Sequence, residues 1–246
     1  MPVPVTPDAA DGVKRSFPAS PHGAGVEIDP PDSSHVPARE RRASPLGGRK
    51  PVTAELAQFQ TPDEHAMDDI LPVDLATVRL LIVGVNPGLW TAAVNAPFAR
   101  PGNRFWPSLN RAGLTDHTVD ASRGLSVPDE QQLLGRGIAL TNLVGRATAR
   151  ADELAPSELR DGGRRVIERV HEMRPEAVAV AGITAFRTAF GLPKSKLGRQ
   201  ETGTVVGWPE DVALWVVPQP SGLNAHETID TLAAKWREVW DSLPAE

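Results

Sequence analysis

Three side-chain amides carry most of the chemistry this chain can offer. Asn86 lies in "GVNPGL", Asn142 in "LTNLV" and Gln219 in "VPQPSGLN". Each follows an apolar run and opens a loop rich in Pro, Gly or Ser. An amide can orient a water or grip a polar ligand, but it cannot accept a proton as a base. Phe98, set between Pro97 and Ala99 in a loop, is either a flat face for a planar ligand or a core residue.

Other chemistries lose their signals. There is no cysteine, which excludes disulfides, iron–sulfur clusters, thiolate zinc sites and thiol nucleophiles. The six histidines have no metal-ligand spacing. "GVNPG" is neither a phosphate-binding P-loop nor a dinucleotide fingerprint, and the residues after Pro87 are not expected to open a helix. No Gly-x-Ser-x-Gly elbow is present, and Ser221 has no assignable base; His226 reads as a helix-start residue.

The charge is uneven. Net charge is −5, yet no Asp or Glu occurs in 75–115 or 212–226. Arg79, Arg100, Arg104 and Arg111 lie in the first stretch, and "PKSKLGR" adds Lys194, Lys196 and Arg199. An acidic chain that clears acids from its loops suits an anionic ligand, DNA among them.

The elements that must position these loops follow from periodicity. Residues 1–50, rich in Pro, Ser, Gly, Ala and Arg, are expected to be a disordered tail, with one folded domain over 51–246. Apolar runs at 78–85, 137–144, 176–182 and 212–218 read as strands buried on both faces. Helices are expected over 103–113, with Asn103 as N-cap, and over 155–175, 183–191 and 226–243. The last carries an apolar face of Ile229, Leu232, Ala233, Trp236, Val239 and Trp240. Alternating strands and helices predict a three-layer α/β/α sandwich with a mostly parallel sheet. Its three unusual loops would gather at the carboxyl edge, where such sheets bind ligands. No apolar run is long enough to span a membrane and no signal peptide is evident, so a cytoplasmic, nucleoid-associated protein of bacterial type is expected.

Taken together, the motifs resemble those of the mismatch-specific uracil-DNA and thymine-DNA glycosylases. The likeness covers about 69–243. It rests on Gly-Val-Asn-Pro-Gly-Leu (84–89), Pro-Phe-Ala (97–99), Asn-Arg-Phe-Trp (103–106), "LTNLVGRAT" (140–148) and "VPQPSGLNAH" (217–226).

The resemblance implies that Asn86 holds the water attacking C1′ of a deoxyribose and that Phe98 stacks on an extruded base. Backbone groups around Val85 and Phe98 would bond the base's polar edge. Thr91 would lie near C5, and Asn142 matches an asparagine of the thymine-type branch. Ser221, Gly222, Leu223 and Asn224 would wedge into the duplex, with Arg100 and Arg104 as further DNA contacts. Gln219 stands where an asparagine supports the leaving group, and Ala225 where some relatives place a wedge arginine. The partner implied is double-stranded DNA with a mismatched or damaged base, bound by a monomer that uses no metal or cofactor. A damage-binding module without catalysis is the alternative.

Overall fold

The computed structural model describes residues 1–2, 35–201 and 203–245. The described residues from 35 onward form one compact unit. Five strands make one sheet in the order β2-β1-β3-β5-β4. These are β1 (Leu80–Gly84), β2 (Ile138–Asn142), β3 (Ala177–Ala181), β4 (Gly198–Arg199) and β5 (Ala213–Val217). The first four in that order run parallel, and short β4 closes one edge antiparallel, pairing Gly198 with Val216 and Arg199 with Trp215. The expected three-layer α/β/α architecture is the one observed.

The sheet's two faces are read directly from alternate residues. Leu80, Ile82, Ile138, Leu140, Ala177 and Ala179 face a layer built from α1 (Leu89–Val94), α2 (Phe105–Ala112), α3 (Val127–Leu134) and α6 (Ile229–Asp241). Leu81, Val83, Val178, Val180, Leu214 and Val216 face α4 (Pro156–Met173) and α5 (Ile183–Ala189). β1 is buried along its whole length, with both neighbours in register. That explains its unbroken Leu-Leu-Ile-Val run.

Several expectations need correction. A helix does open after Pro87: α1 begins at Leu89 with Gly88 as its N-cap. Its six residues are short for a periodicity signal, and burial of Thr91, Ala92, Ala93 and Val94 stabilises it in place of length. Asn95 ends it in the left-handed conformation, φ 50°. The cap of α2 is Arg104, while the Asn103 side chain accepts the Phe105 N–H at 2.9 Å, doing the capping from one residue earlier. Ile229, expected on the buried face of α6, is exposed, because it is the helix's first residue.

The proposed boundary at residue 51 also moves. Val36 and Ala38 pack against the core, Ala38 bridges Pro72, and Gln131 exchanges two hydrogen bonds with the Val36 backbone. Composition missed this segment because its fixing contacts are polar and long-range. The rest of the expected tail, residues 3–34, lies outside the described residues.

α4 approaches the loop after β2 through glycine. A Cβ on Gly162 would lie 2.2 Å from the Leu143 carbonyl oxygen. Alanine inside a helix is intrinsically favoured over glycine by about 1 kcal/mol. Overpacking against backbone typically costs more, about 1–3 kcal/mol. Gly162→Ala is therefore expected to destabilise the protein, seen as a lower urea midpoint; a raised midpoint would show that helix propensity wins.

Candidate functional site

The strand order places β1's end at a switch point: the chain goes from β1 to β2 on one side, then crosses to β3 on the other. Parallel sheets open a crevice there. A cleft of about 650 Å³ lies at this edge. Val85, Asn86, Thr91, Phe98, Arg100, Asn142, Gln219, Ser221, Leu223 and Asn224 all line it. Gly222 and Arg104, expected beside them, do not.

Asn86 is held in one orientation. Its Nδ2 donates to Thr148 Oγ1 at 2.7 Å, to the Arg146 carbonyl at 3.1 Å and to the Pro87 carbonyl at 3.2 Å. The Thr148 hydroxyl spends its own proton on the Arg150 carbonyl at 2.8 Å, so towards Asn86 it can only accept. With acceptors alone on that side, the NH₂ must point there. Oδ1 is left as a free acceptor with no partner among the described residues. Thr148 is 1% exposed. It closes the "LTNLVGRAT" run, but nothing in its residue type marks it as a site residue.

The middle segment also brings Arg150 and Asp152 to the cleft. This middle segment is the continuation of the loop after β2, so that loop does bring a carboxylate, Asp152, to the cleft. Asp152 pairs with Arg150, whose guanidinium holds its carboxyl below the usual range.

Phe98 sits at φ 54°, rare for a bulky residue. Such strain costs roughly 1–3 kcal/mol. The ring stacks on Phe105 with centroids 3.8 Å apart and planes 21° from parallel. A stack of this kind contributes about 0.5–1.5 kcal/mol, so more support is required. Trp106 supplies some, donating from Nε1 to the Pro97 carbonyl at 3.0 Å. Phe105 and Trp106 are buried in the core. The Phe98 N–H makes no hydrogen bond among the described residues. Gly84 keeps the floor open: a Cβ there would lie 2.3 Å from Asn142 Oδ1 and 3.4 Å from Phe98 Cζ. Val85 contributes its side chain and a carbonyl that accepts from Val144 N at 3.0 Å.

The loop after β5 braces itself. Asn224 Nδ2 donates to the Gln219 carbonyl at 3.0 Å, and Ser221 Oγ accepts the Leu223 N–H at 3.2 Å. Leu223 is left 84% exposed at the tip. The Gln219 side chain is exposed and unpartnered among the described residues. Arg104, expected to reach DNA, is turned inward to this loop. Its Nη1 donates to the Asn224 carbonyl at 2.8 Å and the Ser221 carbonyl at 3.1 Å, and its Nη2 to the Gly222 carbonyl at 3.3 Å. Three carbonyls converging on one guanidinium make it a loop brace. Arg100 is exposed, with no side-chain partner among the described residues.

One ion pair supports the middle segment from behind. Arg146 meets Glu158 at 2.5 and 3.1 Å, and Glu158 also accepts the Ala155 N–H at 2.7 Å. Arg146, then the Ala155 N–H, hold the Glu158 carboxyl below its usual value. A depressed carboxylate contributes stability above its unfolded pKa of about 4.3, and that contribution is lost as pH falls through the folded value. Glu158→Gln is expected to be less stable than the parent at neutral pH, with the gap closing below about pH 4 in urea titrations. A pH-independent gap would discount the ion pair.

The fold and cleft can be set beside known families. Residues 73–243 match the family model described as the uracil DNA glycosylase superfamily. This covers the sheet, all six helices and every cleft residue named above. The chain belongs to the uracil DNA glycosylase superfamily, whose activity is that of a DNA glycosylase, a hydrolase of N-glycosidic bonds.

Proposed function

We propose that this protein excises uracil from G-mismatched duplex DNA, in base excision repair, by a monofunctional hydrolysis centred on Asn86. The observation that carries the proposal is the fixed Asn86 amide, whose free Oδ1 can take one hydrogen of a water. That water attacks C1′ and the C1′–N1 bond breaks. Uracil departs with the bonding pair as an anion, and the water's proton passes to solvent or to the departing base.

Asp152, the carboxylate among the described cleft residues, is tied up in its pair with Arg150, so the rate comes mainly from stabilising the departing anion. The free Phe98 N–H, the Asn142 amide and the exposed Gln219 amide are the available donors. Phe98 stacks on the extruded base. Leu223 at the loop tip fills the gap left in the duplex, and Arg100, Lys194 and Lys196 face phosphates from the same edge. Lys194 and Lys196 are exposed without ion pairs among the described residues. Gln219 carries its amide one methylene further than the asparagine of the resembling glycosylases, which suits a slower enzyme.

The choice of lesion follows from the cost of opening and from Thr91. A U:G mismatch opens more readily than U:A. Buried Thr91 restricts room for a C5 methyl, so thymine is a poorer substrate. No lysine among the described residues lines the cleft, so the strand is expected to stay intact at the abasic site. With end-labelled duplexes, alkali is expected to reveal breaks ordered U:G, then U:A, then T:G, and no breaks without alkali. Asn86→Ala should lower the U:G rate by about 10²–10³. Leu223→Ala should leave the melting temperature unchanged and lower excision more on U:A than on U:G. Tight duplex binding without breaks would overturn the proposal.

A further inference from the structure

We infer that residues 36–42 form a strap whose Arg41 is a positioning residue for Phe98. The inference rests on the reading of Phe98 as the platform for an extruded base. Two left-handed residues, Asn95 at φ 50° and Phe98 at φ 54°, lie three apart at the exit of α1. Conformations of this kind persist only where the surroundings over-determine them. Downstream, Phe105 and Trp106 hold the segment. Upstream, the strap does.

Asn95 is 5% exposed, and every polar group on it is used. Its N–H and that of Ala96 both donate to the Thr91 carbonyl. Its Oδ1 accepts the Asp68 N–H at 2.8 Å, and its Nδ2 donates to the Arg42 carbonyl at 2.7 Å and Asp68 Oδ2 at 2.9 Å. Its carbonyl accepts from Arg41 Nη2, while Arg41 Nη1 pairs with Glu130 at the start of α3. Arg42 fastens the same knot, its N–H and Nε meeting Asp68 at 2.7 and 2.8 Å. Burial pushes the Asp68 carboxyl up, but Arg42 and Asn95 together outweigh it and leave it lowered.

The Arg41 side chain is only 10% exposed, and its Nε is buried without a partner. A buried unpaired donor is unfavourable. Arg41 is kept inside by what its other two nitrogens hold: one the carbonyl of the residue that ends α1, the other a helix on the far side of that turn. None of the strap residues lines the cleft. Its effect on the reaction therefore passes through the turn to the Phe98 ring.

The test uses the full chain carrying Arg41→Ala or Arg41→Lys. Single-turnover excision from a U:G duplex at saturating protein is compared with affinity for a duplex holding an abasic-site analogue, which has no base to stack. Hydrogen exchange is followed at the Asn95 and Ala96 amides. Arg41→Ala should lower excision about 10–100-fold, since small misplacements have effects of that size. It should leave abasic-duplex affinity intact and speed exchange at both amides. Arg41→Lys, a single point donor, should recover only part of the rate. Unchanged excision and exchange would overturn the inference. So would losses of rate and affinity that track the unfolded fraction in a thermal melt. A parent protein inactive on U:G would count against the substrate alone, and the exchange result would still decide the strap.

Discussion

The burial of β1 on both faces and both edges is the constraint on which the rest depends. A strand in that position can leave the sheet only at its ends, and its backbone groups are committed to β2 and β3 until Gly84. The chain must therefore emerge at the carboxyl edge, between the exits of β2 and β3. Asn86 is two residues beyond that point. The Gly84 and Val85 carbonyls continue the pairing by accepting Leu143 and Val144 N–H at 2.9 and 3.0 Å. This locks the second loop to the first. The middle segment then folds back so that Thr148 N reaches the Pro87 carbonyl at 3.2 Å. One register thus fixes the relative places of Asn86, Asn142 and Thr148.

Beyond that register, the cleft is built from backbone in sparsely used conformations and from side chains spent on carbonyls. Arg104, Trp106 and Thr148 each donate to main-chain oxygen. This division of labour is physically sensible. The cleft-lining Asn142 and Gln219 side chains and the Phe98 N–H are left without partners among the described residues. The cost of holding them so falls on neighbours that are fully bonded.

Much of this was legible in the sequence. Continuous apolar runs marked four strands, and amides at or just beyond the ends of three of them marked the cleft. What escaped has three physical causes. α1 is too short to show a period and is stabilised by burial. The 36–42 strap is polar and is fixed by partners such as Asn95, Asp68 and Glu130 that are distant in sequence. Arg104 and Thr148 act on backbone carbonyls, whose positions no residue type announces. Arg104 reads as a DNA contact because a loop arginine and a half-buried brace look alike until the carbonyls are placed.

The contact between Gly222 and Gly102 sets a dimension. A Cβ at Gly222 would lie 2.6 Å from the Gly102 oxygen, so the two loops touch backbone to backbone with no side chain between. Arg104 N also bonds the Pro220 carbonyl at 2.9 Å. The exposed Leu223 tip and the Phe98 ring are thereby mounted on one stiff frame, like the two jaws of a caliper. Whatever enters the cleft meets these two side chains at a spacing that backbone contact sets.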